Sequence, residues 1–209
     1  MFQDWAGKIK DKLAGDLPGH LTQLKMAPQN RNMKMPDAET LFKAQKAAVL
    51  ILLYPHPGDP HLVLMKRTSY PGVHSGQISF PGGKIETADV DERAAALREA
   101  EEETGIPSSE VEVLGKLSQL YIPPSNFLVH PFVGILHKRP EFRPDSVEVA
   151  ALIEVPVAHF LDDNNRKMGE IKVRENLSIQ SPYFDVFGEI VWGATAIMLG
   201  EFVEILRRK

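Results

Sequence analysis

The chain has 209 residues, enough for one domain with an added terminal segment and a proper apolar core. Its net charge of −4 speaks against a broad basic surface for nucleic acid, and no apolar run reaches the roughly eighteen residues that span a bilayer. It has no cysteine, which excludes disulfides and thiolate metal sites.

In chain order, Phe2, Trp5, Ile9 and Leu13 repeat at helical spacing, and Pro18-Gly19 breaks the run. A second short helical stretch covers Leu21 to Met26, and Pro28 to Asn32 reads as loop. The apolar stripe of the first helix has to be covered by the body of the protein or by a partner chain, which leaves a homodimer open. Acids interspersed with its lysines speak against a membrane-surface role. Ala47 to Tyr54 is a strongly apolar strand, Pro55 to Pro60 a turn, and His61 to Lys66 the returning strand of a hairpin. Gln77 to Phe80 is a short strand feeding a turn at Gly82-Gly83. Val111 to Leu120 and Phe127 to Leu136 are further strands, as is Val149 to Val155, which ends at Pro156. Val157 to Leu161 begins a short helix, Glu170 to Glu189 holds another hairpin, and Trp192 to Arg207 is the last helix. Strands surrounding two long helices predict an α+β domain with α/β/α layering. The start, Met1-Phe2-Gln3-Asp4-Trp5, lacks the basic-then-apolar pattern of a secretory signal, and Arg207-Arg208-Lys209 is no peroxisomal address, so a cytoplasmic location is expected.

The most informative segment runs from Gly82 to Ile106. Glu99, Glu102 and Glu103 stand at i, i+3 and i+4 on a predicted helix from about Val90 to Thr104. Asp89 is the expected N-cap with Glu92 as its capping-box partner, Gly105 the C′ residue and Pro107 the stop. Ala94, Leu97 and Ala100 make an apolar stripe, with the three glutamates off it. Glutamate runs on helices are usually solvated faces. Like charges at this spacing repel, however, and a hard divalent cation that takes carboxylate oxygens would remove that cost.

Arg98-Glu99-Ala100-Glu101-Glu102-Glu103-Thr104-Gly105-Ile106 resembles the second half of the Nudix box at every fixed position. The first half departs from it, because fourteen residues rather than thirteen separate Gly83 from Arg98. This extra residue, with acids at Glu86 and Asp89, is similar to the coenzyme A pyrophosphatase branch of that family. The leader Leu64-Met65-Lys66-Arg67-Thr68-Ser69, followed by His74-Ser75-Gly76-Gln77-Ile78-Ser79-Phe80-Pro81-Gly82-Gly83, resembles the same branch. The resemblance covers roughly residues 45–208. It implies a Nudix fold, a mixed central sheet between helices, over residues 45–209, with residues 1–44 as an N-terminal helical extension.

It also implies a hydrolase. The expected reaction is Mg²⁺- or Mn²⁺-dependent cleavage of the diphosphate of coenzyme A or its acyl derivatives, with a small-molecule substrate and neither nucleic acid nor membrane as partner. Two other readings stay open: hydrolysis of another nucleoside diphosphate derivative such as ADP-ribose, and a non-catalytic Nudix-fold binding module, which the complete set of acids disfavours. The metal ligands implied are Glu99, Glu102 and Glu103, with a backbone carbonyl at Gly83. Arg98 would fix a glutamate rotamer through a salt bridge. Glu148 and Glu102 compete for the role of general base. Arg67, His74 and Gln77 are the candidate substrate contacts, Arg67 through its planar fork. Tyr121, Phe127 and Tyr183 are candidates to stack on a base. Whether Glu86 or Asp89 stands in for the missing first glutamate of the box is open.

Overall fold

The computed structural model describes residues 2–29, 36–57, 59–68, 76–174 and 177–208. The elements in order are helices α1 (Phe2–Ala14), α2 (Gly19–Leu24) and α3 (Ala38–Lys43), then strands β1 (Gln45–Pro55), β2 (Pro60–Arg67), β3 (Ile78–Ser79) and β4 (Gly82–Lys84). Helix α4 (Glu92–Thr104) follows, then β5 (Glu112–Lys116), β6 (Leu120–Ile122), β7 (Phe127–Ile135), β8 (Val149–Pro156) and α5 (Val157–Leu161). The chain closes with β9 (Arg166–Arg174), β10 (Leu177–Val186), β11 (Glu189–Trp192) and α6 (Gly193–Arg207).

β1 organises the molecule because both of its faces are apolar. Ala47, Ile51 and Leu53 join one buried cluster, and Ala48, Leu50, Leu52 and Tyr54 join another. A strand buried on both faces needs a layer on each side. α4 covers the second cluster with Ala95, Ala96 and Ala100, while α6 covers the first with Ala196, Leu199, Phe202 and Val203. The result is the α/β/α sandwich expected from the sequence. Its large sheet is mixed: β1 runs parallel to β7, and the order is β3-β2-β1-β7-β5, with β4 on β1, β6 on β7 and β8 on β2. β9, β10 and β11 form a separate antiparallel sheet.

Ala6, Ile9 and Leu13 of α1 belong to the same cluster as α6, so this helix shares the body's core. A Cβ on Gly115 of β5 would lie 2.9 Å from the Leu13 Cβ, which shows how closely α1 approaches the sheet. The fully buried Glu201 of α6 accepts from the backbone N–H groups of Gly19 and Ser118 and from Gln23 Nε2, and so ties α2 to the body.

Several sequence expectations are corrected. Gly82-Gly83 is no turn: β4 pairs with β1 through Val49↔Gly82 and Ala48↔Gly83. The predicted strand Val111–Leu120 is broken into β5 and β6. The break faces Pro131 of β7, which has no N–H to offer a ladder, and the Ser118 N–H goes to Glu201 instead. Helix α4 begins at Glu92, later than predicted, and Asp91 rather than Asp89 caps it by accepting from the Ala94 N–H at 2.7 Å. Its core stripe is Ala95, Ala96 and Ala100, not Ala94, Leu97 and Ala100, and Glu103 lies on that buried side. Short helix α3 and strand β11 are additional to the expected elements.

Candidate active site

Three consecutive glutamates of α4 have three different destinations. Glu101 accepts from the Ser108 N–H at 2.8 Å, beyond the C-terminus of the helix. Glu102 points outward and meets Arg98 Nη1 at 3.1 Å, with 59% of its side chain exposed. Glu103 turns under the helix, is 2% exposed, and accepts the Gly82 N–H on Oε2 at 2.7 Å. A 3.6-residue period explains this fan, since each successive side chain is rotated by about 100°.

The helix ends are built to hold this arrangement. Asp91 satisfies an orphan N–H of the first turn, and Gly105, at φ 72°, donates to the Glu101 carbonyl at 2.8 Å. β4 brings two glycines beneath the acidic face for different reasons. A Cβ on Gly82 would come within 2.4 Å of the Ala48 carbonyl, and its φ of 150° is one that residues with side chains rarely adopt. A Cβ on Gly83 would instead lie 2.3 Å from Glu99 Oε2, so this glycine leaves room for a carboxylate.

Arg98 is clamped from every side. It donates from Nε and Nη2 to the two oxygens of Asp89 at 2.9 and 3.0 Å, from Nη1 to Glu99 Oε1 at 3.0 Å and Glu102 Oε2, and from Nη2 to the Lys84 carbonyl at 3.2 Å. The guanidinium holds the Asp89 carboxyl below its usual range. Of the two acids in the box loop, Asp89 partners Arg98, whereas Glu86 is exposed and meets Asp89 through its backbone, its N–H donating to Asp89 Oδ2 and its carbonyl accepting the Asp89 N–H. Asp89 does not cap the helix, which begins only at Glu92 with Asp91 in the cap position.

Arg67, at the end of β2, faces the same carboxylates from across the sheet. Its Nη1 is 3.5 Å from Glu103 Oε1 and its Nη2 is 3.8 Å from Glu148 Oε2, just before β8. A bulge in the β2–β8 pairing, with Lys66 opposite Ala151 but Arg67 opposite Val149, brings Arg67 beside Glu148. Glu103 Oε1 is buried and accepts no hydrogen bond. Burial is the chief reason the Glu103 carboxyl is pushed up to about 8; the charges of Glu99 and Glu148 add to the shift, while the Gly82 N–H and Arg67 oppose it. Burial likewise raises the Glu99 carboxyl, against the pull of Arg98.

The structure therefore gathers Arg67, Gly83, Arg98, Glu99, Glu103 and Glu148 at one place, with Glu102 at its rim. Among the described residues, no three aspartate, glutamate or histidine side chains converge closely enough to cage an ion as they stand. The donor set still suits a hard divalent cation. It offers a buried carboxylate oxygen with no hydrogen-bond partner and a second, largely desolvated carboxylate beside a glycine backbone, and Mg²⁺ keeps much of its water shell.

The remaining candidates fall elsewhere or are differently engaged. His74 lies outside the described residues. The Gln77 carbonyl accepts the Arg67 N–H at 3.0 Å, so its backbone fixes the base of that side chain. Tyr121 donates to Asn126, Phe127 packs against the core, and Tyr183 belongs to the smaller sheet, opposite Trp192. Sequence reasoning missed the Gly82 N–H as the partner of Glu103.

A model of the NUDIX domain matches residues 44–174. Nudix hydrolase 22, chloroplastic, of Arabidopsis thaliana is 38% identical over 171 residues, covering 78% of this chain and 55% of that protein. The chain thus spans little more than half the length of this plant relative. The uncharacterized Nudix hydrolase NudL of Salmonella newport is 39% identical over 172 residues, covering 78% of this chain and 83% of the relative. The crystal structure of the MutT protein from Methanosarcina mazei Go1 superimposes with a TM-score of 0.50 at 15% identity, covering 79% of this chain and 96% of that one, a likeness of fold alone.

Proposed function

Since the chain belongs to the Nudix family, we propose that it hydrolyses the diphosphate of a nucleoside diphosphate derivative, and that the substrate is coenzyme A or its acyl derivatives. The observation that carries the hydrolytic reading is the buried Glu103 carboxylate, with one oxygen on the Gly82 N–H and the other free of hydrogen bonds toward Arg67. A buried carboxylate left half-unsatisfied is costly unless it has a use.

Glu99 and Glu103, with the Gly83 backbone beside them, would hold Mg²⁺ or Mn²⁺, which would neutralise phosphate charge and make bound water more acidic. Arg98 orients Glu99 and Glu102, and Asp89 orients Arg98. Arg67 presents its fork to the anionic diphosphate. Glu102 is already held by Arg98, which leaves Glu148, exposed and close to Glu99 and Glu103, to accept the proton of the attacking water. The new P–O bond forms to water and the bridging P–O bond breaks. With coenzyme A the products would be adenosine 3′,5′-bisphosphate and 4′-phosphopantetheine.

The coenzyme A assignment is supported by the leader motif and by the extra residue in the box loop. The described part of the leader builds the site: Ile78 and Phe80 are core residues, and the Pro81 carbonyl accepts the Leu50 N–H at 2.9 Å, delivering Gly82 and Gly83 to the carboxylates. The test is turnover with Mg²⁺ on coenzyme A, acetyl coenzyme A, ADP-ribose, NADH and nucleoside triphosphates. We expect the highest kcat/KM on the coenzyme A compounds. A higher value on ADP-ribose overturns the substrate assignment, and no hydrolysis of any of them overturns the enzymatic reading.

A further inference from the structure

Two arginines reach the same acidic site in different ways. Arg98 makes five contacts of 2.9–3.2 Å with good hydrogen-bond geometry. Arg67 stands at 3.5 and 3.8 Å from Glu103 and Glu148, beyond the roughly 2.7–2.9 Å of a charge-assisted hydrogen bond. Arg98 is locked in place, whereas among the described residues Arg67 meets the carboxylates through charge, at distances longer than a hydrogen bond of this kind. The Glu103 oxygen that it faces has no hydrogen bond to lose.

We propose that Arg67 is a displaceable cation: without metal it stands against Glu103 and Glu148, and it moves to the substrate's diphosphate when a divalent cation takes Glu103. The inference rests on the metal-dependent reading above. Two cations cannot share one buried carboxylate oxygen without strong repulsion, since like charges a few ångströms apart interact strongly where water is scarce. A diphosphate next to the metal offers the guanidinium a new anion and a geometry that suits its fork. The β2–β8 bulge and the Gln77 carbonyl fix the backbone of Arg67, so the movement is confined to the side chain. Metal and diphosphate would then reinforce each other's binding, and by linkage the reinforcement is reciprocal.

The experiment is Mn²⁺ binding to the metal-free full chain, followed by electron paramagnetic resonance without substrate and again with methylenediphosphonate. Arg67→Ala should bind Mn²⁺ alone about fivefold or more tightly than wild type, a coupling of ordinary size. Arg67→Lys should stay near wild type. Methylenediphosphonate should tighten Mn²⁺ binding much more in wild type than in Arg67→Ala. Lys66→Ala, which removes the adjacent cation paired with Glu189 at 2.6 Å, controls for net charge and should leave the affinity unchanged. Should Arg67→Ala fail to fold by circular dichroism, Arg67→Met keeps the apolar stem and carries the same expectation. Binding no tighter than wild type in a folded charge-removing variant overturns the inference, as does equal tightening in Lys66→Ala. Wild-type protein that binds no Mn²⁺ overturns the parent reading and the inference with it.

Discussion

Asp89 grips Arg98 with both carboxylate oxygens, at 2.9 and 3.0 Å, and this one pair positions the acidic face of α4. Arg98 in turn holds Glu99 and Glu102, so a residue in the loop before the helix governs rotamers about two and three turns into it. Asp89→Ala should therefore lower kcat about 10–100-fold, the range for losing a partner that orients metal ligands, and should weaken Mn²⁺ binding. Glu86→Ala should have little effect, since Glu86 contributes only its backbone. Equal losses in the two variants would refute the assignment.

The two glycines of β4 should fail differently. Gly82→Ala forces a Cβ against β1 backbone at 2.4–2.5 Å and should destabilise the fold by more than about 2 kcal/mol, read as a lower urea midpoint. Gly83→Ala meets only the end of the Glu99 side chain. It should keep most of its stability and lose most of its activity. Comparable unfolding midpoints in the two variants would show this division to be wrong.

Glu103→Gln retains the shape of the side chain and an oxygen for the Gly82 N–H. It should fold and lose about a thousandfold or more in kcat, because the negative charge is what the metal and Arg67 need. Activity near wild type would remove Glu103 from the site. Glu148→Gln should lower kcat with little change in Mn²⁺ affinity, as expected for a proton acceptor, and a weakened Mn²⁺ affinity would instead make it a ligand.

The pH dependence of stability follows from the same carboxylate. Burial pushes Glu103 up to about 8, so the folded protein keeps its proton where the unfolded chain, titrating near 4.5, has lost it. The stabilising contribution is complete below about pH 4.5 and is lost as pH rises through about 8. The metal-free protein should lose stability between pH 5 and 8 by up to about 1.4 kcal/mol per pH unit. Glu103→Gln should flatten that slope, and an identical slope in the variant would refute the assignment.

Ile9 of α1 is buried in the main core. Ile9→Ala should cost about 2–4 kcal/mol in urea unfolding, within the usual range for a buried large-to-small change. A cost below about 0.5 kcal/mol would mean that α1 is not part of the cooperative unit.

Much was legible in the residues. The continuous apolar run of β1 required layers on both sides. The glutamates at i, i+3 and i+4 after a glycine pair pointed to the candidate site, and the extra loop residue set this box apart. What was misread shares one cause. Asp89 and Asp91 are both good caps by local rules, and only the distant guanidinium of Arg98 decides between them. Ala94 and Leu97 fit an apolar stripe as well as Ala95 and Ala96 do, until the sheet fixes which side of the helix is inward. Gly82-Gly83 looks like a turn until β1 is there to pair with it.

The sequence by itself determined that there is an acidic helix, where it starts and ends to within a few residues, and that it follows a glycine pair. Helical periodicity and end chemistry are local properties carried by neighbouring residues. The tertiary structure decided what each acid does: Glu101 on Ser108, Glu102 on Arg98, and Glu103 beneath the helix against Gly82 and Arg67. Those fates depend on partners brought in by other strands and loops. Burial, which turns an ordinary carboxylate into a reactive one, exists only when the layers have closed around it.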